Sequence, residues 1–508
     1  MSIVEDRIED GLAYELSVGK RAASGALWTV ICSAASKVVT LGGQILLAWF
    51  LVPDDMGLVA MAMSITTIIA LFASAGLQDV LVQRQKELQK LVRSAFWLSL
   101  GLCALGALAI AGISPLAGAM FGEPRVIPLV LLASLVLPLS SFGTIYTAKL
   151  YHDMRFKTMA QIHLASGVIQ IGGAVSLAAL GFGPYSILIP CVVASGAGPL
   201  MTRIAAGKIY VGRPRITYWR ELLRPGVWLM LFGLFNAMQS QGMNLVLGIL
   251  RDSRITGLFF WGFHISSQFL FLLAVKLRQV LFPSLAKLND KPEQQFAAVQ
   301  RAWRMLTLIA LPVCILQAGL ADPIIPLLFK QKWAGSVPVV QWLSVGMLAL
   351  PVHIVALSAL MASGRFGMLA ILGAVQAVML LSATAAGALL GDQGTIAATA
   401  GMAMLVMNLC SGYVAVRRFG RSIADLLFSV GGFYLMAAAA GMVWWLARMI
   451  LPSWSDLAVA GVGASITCVA YAAMVRAFAW NTWLDMMSVA FSRRGAKKNK
   501  SDNGVTRI

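Results

Sequence analysis

The feature that most constrains this chain is a succession of long apolar runs almost free of charge. Ser94 to Phe121 and Met368 to Leu390 contain no Asp, Glu, Lys or Arg at all. A lipid hydrocarbon core takes about 20 mostly apolar residues per helical crossing, and each of these runs satisfies that length. Composition supports the same conclusion. The 508 residues are 59% hydrophobic and 12% charged, about half the charge density of an ordinary soluble domain. The sequence therefore predicts an all-α polytopic membrane protein and excludes soluble, collagen-like, disordered and disulfide-stapled classes.

The runs number about fourteen. Six fall at about Ser24 to Leu51, Met56 to Gln78, Ser94 to Phe121, Val126 to Ala148, Met159 to Leu180 and Pro184 to Ile204. Six more lie at about Gly226 to Leu250, Gly257 to Val275, Met305 to Phe329, Ser336 to Met361, Met368 to Leu390 and Thr395 to Val416. A last pair spans about Leu426 to Ala447 and Leu457 to Val475.

The 40 Lys and Arg residues set the expected orientation, because short loops rich in them stay cytoplasmic. One set of alternate loops holds Arg84, Lys86, Lys90 and Arg93, then Lys149, Arg155 and Lys157, then the basic stretch from Arg203 to Arg224, with later clusters near Lys287 and Arg417. The other set is nearly bare. Roughly 33 basic residues fall on one side and about 6 on the other, which predicts that both termini are cytoplasmic.

The net charge of +19 reads as topology rather than nucleic-acid binding, since the charges punctuate apolar spans instead of forming a face. The tail Arg493 to Lys500 reads as a solvated anchor near lipid headgroups. No cleavable signal is expected at the start, where Glu5, Asp6, Glu9 and Asp10 precede a run too long for a signal peptide. The six cysteines are scattered without paired spacing, and the four histidines lie in separate segments. No metal, cofactor or catalytic residue is expected.

An internal repeat organises the chain. A shift of 200 residues places Trp28 on Trp228, Gly42 on Gly242, Leu47 on Leu247, Gly57 on Gly257 and Leu58 on Leu258. The frame then lengthens, pairing Pro115 with Pro323, Phe121 with Phe329, Pro128 with Pro338 and Arg155-Phe156 with Arg365-Phe366. Six helices per repeat give both halves the same orientation, related about an axis along the membrane normal. The expected organisation is a segment 1–23, an N-lobe at 24–205, a basic linker at 206–225, a C-lobe at 226–416, two further helices within 426–475 and a basic tail at 476–508. Two pseudo-symmetric six-helix lobes predict alternating access around a cleft.

Polar residues at helical spacing mark the expected cleft. On the first span, Ser33, Lys37, Thr40 and Gln44 share a face. On the seventh, Asn236, Gln239, Ser240 and Asn244 form the corresponding stripe, and on the eighth His264 and Gln268 lie one turn apart. Lys37 sits near mid-membrane, where an ammonium costs about 3 kcal/mol or more without water or a counter-charge. Asp79, Asp322, Asp392 and Asp425 all fall at span ends, so the counter-charge is expected to arrive with the substrate. Helix-to-helix hydrogen bonding is the alternative role for the uncharged stripes.

Several stretches carry a family resemblance. Gly25-Ala26-Leu27-Trp28 and Leu47 through Met61, including Pro53-Asp54-Asp55-Met56-Gly57, resemble the first hairpin of polysaccharide-transporter flippases. Ala75-Gly76-Leu77, Leu81 to Arg84, Ala95 to Leu98, Phe121 to Pro124 and Met154-Arg155-Phe156 are similar to the same family. These are Wzx-type members of the multidrug, oligosaccharidyl-lipid and polysaccharide exporter superfamily. Trp49 departs from it, standing where the family usually has Arg.

The resemblance implies a flippase, not an enzyme, that moves undecaprenyl-pyrophosphate-linked oligosaccharide repeat units across a bacterial inner membrane for exopolysaccharide or lipopolysaccharide synthesis. It also implies membrane lipids, a polysaccharide polymerase and a chain-length regulator as partners. Lys37 would meet the pyrophosphate and the amide and hydroxyl stripes the sugars, while Lys276 and Arg278 are candidates for headgroup capture or for topology anchoring. A cation-coupled multidrug exporter and a lipid II flippase of the same superfamily are the alternatives.

Overall fold

The computed structural model describes residues 31–74, 88–153, 155–207, 219–329, 331–450 and 456–480, with a few isolated positions beside them. Segment 1–23, most of the linker 206–225 and the tail from 488 lie outside these residues. The fold is all-α, with no strand among the described residues. Among the described residues, eleven helices are long and apolar enough to cross a membrane, or twelve if one bent pair is a single span. Those twelve match the expected spans other than the seventh and eighth.

The first repeat comprises α1 (Ile31–Phe50), α2 (Pro53–Ser74), α3 (Leu88–Phe121), the segmented α4 (Val126–Ser134), α5 (Val136–Ser141) and α6 (Gly143–His152), then α7 (Phe156–Ala179) and α8 (Tyr185–Ala206). The expected seventh and eighth spans lie in α9 (Trp219–Leu250) and α10 (Ser253–Ala286), both helical throughout. There follow α11 (Pro292–Phe329), a 3₁₀ turn (Gln331–Ser336), α12 (Val337–Met347), α13 (Leu350–Ala362), α14 (Phe366–Leu390) and α15 (Gln393–Arg418). The last two helices are α16 (Ile423–Ile450) and α17 (Asp456–Phe478).

The fourth and tenth spans, continuous in the sequence reading, are broken in the structure. Proline explains both. It clashes with the carbonyl of the residue four positions earlier and donates no hydrogen bond. Pro138 points back to Ser134, the last residue of α4, and Pro351 to Met347, the last residue of α12. The second break bends by 44°. Its loosened backbone is satisfied by aromatic donors: Tyr434 OH donates to Leu348 O at 3.0 Å, and Trp303 Nε1 to Val352 O at 3.1 Å. Unpaired carbonyls at membrane depth would be costly, so these two donors hold the break in place.

The repeat is visible in the backbone. Arg155 opens α7 with φ −84° and ψ 51°, and Arg365 opens α14 with φ −81° and ψ 57°. At the same shift of 210 residues, Leu180-Gly181 after α7 falls on Leu390-Gly391 after α14.

By contact the chain divides into two units, one ending at Phe260 and the other beginning at Trp261. The division falls inside α10 rather than in the linker, because α9 packs along α2 and α3 of the first repeat. Gly248 of α9 lies against Phe121 and Met61, and Gly233 against Leu71. In the second unit, α16 and α17 dock on α11 through Leu308, Leu311, Phe433, Met436, Ala440 and Tyr471.

Candidate functional site

The α1 stripe holds together on one helix. Ser33, Lys37, Thr40 and Gln44 are each half-buried. They lie between a packed side made by Cys32, Gly43 and Leu47 and an exposed apolar side made by Val38, Leu41, Ile45 and Trp49. Gly43 lets α1 press on Ile171 of α7, so the packed side is fixed and the polar border cannot turn inward. Thr40 Oγ1 donates to Ser36 O at 2.8 Å, which occupies its proton and leaves its oxygen as an acceptor. Gln44 Oε1 is buried with no hydrogen-bond partner among the described residues.

The α9 stripe is graded by depth. Asn236 is exposed, Gln239 and Ser240 are half-buried, and Asn244 is buried. Asn244 Nδ2 donates to Gln241 Oε1 at 3.2 Å, and Ser240 Oγ to Ala237 O at 3.3 Å. These local bonds fit a packing role for Asn244 and leave the Asn236 end open. In the second unit His264 and Gln268 are half-buried on α10. Lys37, Asn236, Gln239, His264 and Gln268 each have an interaction partner. Arg278 is exposed near the far end of α10, whereas the Lys276 side chain lies outside the described residues. The structure thus brings the α1 and α9 stripes into one unit and places His264, Gln268 and Arg278 in the other.

Polar groups without an assigned role in the sequence reading emerge in the second unit. Gln317 of α11 donates to Ile265 O at 2.8 Å, next to His264, while its Oε1 is buried without a partner among the described residues. Deeper in, His353 Nδ1 lies 2.8 Å from Ser411 Oγ, and Gln376 Nε2 donates to the same oxygen at 2.6 Å. Ser411 Oγ spends its one proton on Met407 O at 3.0 Å, so it accepts from His353, and Nδ1 carries the hydrogen. Asn408 Nδ2 closes the group on Gly346 O at 3.4 Å. One signal was available: His353 falls 210 residues after Gly143, a large polar side chain matched to none.

The repeat-matched glycines meet. A Cβ on Gly57 would overlap the carbonyl oxygen of Ser253, and one on Gly257 the carbonyl oxygen of Pro53. Because Pro53 and Ser253 are themselves 200 residues apart, the starts of α2 and α10 cross reciprocally, backbone on backbone. Only residues without side chains permit so close an approach. Ser253 Oγ donates to Asp54 Oδ1 at 2.9 Å across the crossing, and Ser253 and Thr256 are 2% and 0% exposed. The crossing lies at the ends of the helices that carry few basic residues.

Asp392 and Asp425 sit at helix starts, as the sequence indicates, whereas Asp322 lies about two turns inside the end of α11. Asp322 pairs with Arg448. Asp392 caps α15, accepting from Thr395 N at 3.0 Å, and the Thr395 backbone and hydroxyl hold its carboxyl below the usual carboxylate range. Among the described residues, no group of three or more His, Cys, Asp and Glu is placed to hold a metal.

Known proteins resemble this arrangement. The family model described as polysaccharide biosynthesis protein matches residues 46–338. The lipopolysaccharide biosynthesis protein WzxC of Escherichia coli (strain K12) is 22% identical over 340 residues, covering 65% of this chain and 68% of the relative. The succinoglycan biosynthesis transport protein ExoT of Rhizobium meliloti (strain 1021) is 27% identical over 337 residues, 64% of each chain. The match therefore spans about two thirds of the relatives' length. In fold, the lipid II flippase MurJ in its inward closed conformation superposes with TM-score 0.71 at 14% identity, covering 90% of this chain and 99% of that one.

Proposed function

This chain belongs to the polysaccharide biosynthesis protein family, and we propose that within it the chain is a flippase for undecaprenyl-pyrophosphate-linked oligosaccharide repeat units. It would carry them from the inner to the outer leaflet of a bacterial inner membrane, for exopolysaccharide or lipopolysaccharide synthesis, by alternating access. The observation that carries the mechanism is the reciprocal crossing at Gly57 and Gly257. Two matched helix starts that meet backbone to backbone, with the Ser253–Asp54 hydrogen bond across them, make a seal that parts with little unpacking of side chains. The cargo is supported by the relatives WzxC and ExoT, whose names place them in lipopolysaccharide and succinoglycan synthesis.

Lys37 supplies the cation for the pyrophosphate, and Asn236, Gln239, Ser240, Thr40 and Gln44 supply donors and acceptors for sugar hydroxyls. Ser33 and Asn244 border these stripes, and His264 and Gln268 add a polar turn from α10. Arg278 and Lys276 would draw the headgroup toward the cytoplasmic mouth. Each negative charge moved outward against an inside-negative potential gains about 2.3 kcal/mol per 100 mV, which favours export. The lipid tail stays in the bilayer, and a polymerase and chain-length regulator consume the exported units. No chemical step is assigned to the chain. The cation-coupled exporter reading calls for a carboxylate within the membrane; Asp54, Asp392 and Asp425 lie at helix ends instead, and Asp322, about two turns inside the end of α11, is paired with Arg448.

Deletion of the gene, complemented with wild type, Lys37→Ala or Lys37→Arg, tests this. Loss of secreted polysaccharide with repeat units trapped on the inner leaflet, unrestored by Lys37→Ala and partly restored by Lys37→Arg, is the expected result. Unchanged secretion and unchanged lipid-linked intermediates in the deletion strain would refute the cargo. Full rescue by Lys37→Ala would remove Lys37 from the site.

A further inference from the structure

The two repeats differ most where one is filled and the other is hollow. In the second, His353, Gln376 and Ser411 close the space between α13, α14 and α15 with a continuous set of hydrogen bonds. At the 210-residue shift, Gly143 stands for His353 and Ser166 for Gln376. Gly198 of α8 abuts Ser166 Oγ as Ser411 abuts Gln376. Two large bonded side chains thus have a glycine and a serine as their counterparts, while Ser411 falls on Met201. The result is a cavity of about 180 Å³ between α6, α7 and α8.

The lining specifies what fits. Ser140, Thr144, Thr147, His163, Ser166 and Thr202 contribute the polar groups, with Leu150, Met159 and Ile162 as the apolar wall. Ser140 Oγ gives its proton to Leu137 O at 2.9 Å and Thr202 Oγ1 to Gly198 O at 2.8 Å, so both oxygens face the cavity as acceptors. Ser166 Oγ, covered by Gly198, is buried with no partner among the described residues, a cost of about 1–3 kcal/mol that a ligand hydroxyl would remove once the Ser166 side chain rotates into the cavity. Among the described residues no Lys or Arg lines the cavity, and the two nearby cations point to the end of α8. Lys149 Nζ donates to Ala206 O at 2.7 Å, and Arg155 Nη1 to Ala205 O at 2.6 Å, both at the end of α8. No carboxylate lines the cavity among the described residues either. An anion would find no cation and a metal ion no charge, whereas a neutral ligand that donates and accepts finds both partners and an apolar wall.

We propose that the first repeat binds one neutral sugar ring in this cavity, between α6, α7 and α8. At about 30 Å³ per water the space equals about six waters, the bulk of a single hexose. The assignment of that ring to the carried oligosaccharide rests on the flippase reading, but its binding does not. The site lies on the basic-loop side, next to Lys149 and Arg155, where cargo would be loaded. It would select among repeat units by the sugar it accepts.

The test uses the full-length protein in lipid nanodiscs, with D-glucose, D-galactose, N-acetyl-D-glucosamine and L-rhamnose as probes in saturation-transfer NMR titrations. Saturable binding of at least one probe is expected, weakened tenfold or more by Ser166→Gln, which installs the second repeat's side chain. Ser166→Ala should weaken it twofold to fivefold, and Ser382→Ala, on the exposed face of α14, should leave it unchanged. If Ser166→Gln does not yield a monodisperse protein, Ser166→Ala carries the test, since the native hydroxyl makes no bond that folding would miss. Absence of saturable binding by all four sugars, or equal binding by wild type and the Ser166 variants, would mean the cavity holds ordered water only and overturns the proposal. Sugar binding that depends on Ser166 in a strain whose deletion traps no lipid-linked units would keep the site and refute the flippase reading. Trapping without sugar binding would do the reverse.

Discussion

The region α6 to α8 and its counterpart α13 to α15 follow the same backbone path with opposite interiors. Arg155 and Arg365 start α7 and α14 at nearly the same dihedrals, and a proline breaks the preceding span in each. Yet the second region is closed by His353, Ser411, Gln376 and Asn408, while the first encloses a cavity around Ser166. Their entrances differ as well. Asp392 caps α15, whereas α8 starts after Pro184 with no side-chain cap. Backbone course in these repeats is set by a few breakers and turn residues, so interior side chains are free to take different work.

Five substitutions would sharpen or break that comparison. The largest effect is expected at the crossing, where the repeats agree. Gly257→Leu or Gly57→Leu drives a side chain into a backbone carbonyl that has nowhere to move, and export should fall at least tenfold. A cysteine pair at positions 54 and 253 in a cysteine-free background should crosslink when Gly257 is intact and fail to crosslink when Gly257→Leu is added. Normal export by both leucine variants would show that the crossing seals nothing.

Next comes His353→Ala, which empties the second repeat's interior and takes one donor from Ser411, while Gln376 keeps its bonds to Ser411 Oγ and Met407 O. A loss of about 2–4 kcal/mol is expected from the cavity and the broken network, read as a fall in thermal melting temperature. Ser166→Ala, the matched change in the first repeat, removes a hydroxyl that bonds to nothing among the described residues. It should leave stability unchanged or raise it by up to about 1–3 kcal/mol, because the hydroxyl it removes is unsatisfied, and a loss comparable to that of His353→Ala would mean the two interiors are alike after all.

The smallest effect is expected at Asp392. Its carboxyl is held below the ordinary range by the Thr395 amide and hydroxyl, so the cap is fully charged throughout the neutral and mildly acidic range. A depressed native value gives stability that is present above the unfolded-state pKa and lost as pH falls through the native one. Asp392→Ala should therefore melt slightly earlier near neutrality, and the difference should close only in strong acid. A difference that vanished at mild acidity would contradict the cap.

Much of this protein is legible in its sequence. Span positions follow from apolar run length, because a helix in lipid must satisfy its backbone within itself. The Gly57 and Gly257 match is a sequence observation whose meaning needed the structure, since nothing local says that residues 200 apart in the chain touch. The polar stripe on α1 was found by spacing, but its position at the border between packed and exposed sides was not, because that depends on where Gly43 meets Ile171. Asn244 shows the opposite case. It has the right spacing and residue type, yet it lies buried and bonded to Gln241.

The sequence alone determined that the chain crosses a membrane many times and that its two halves repeat, with prolines and glycines at matched positions. These are properties of local chemistry: transfer of apolar runs from water, missing amide hydrogens, absent Cβ atoms. Only the tertiary structure decided that α9 packs with the first repeat, that α16 and α17 rest on α11, that matched glycines cross, and that one repeat is sealed while the other is hollow. Each of those depends on distances between residues remote in the chain, and burial is shared between partners that no single segment specifies.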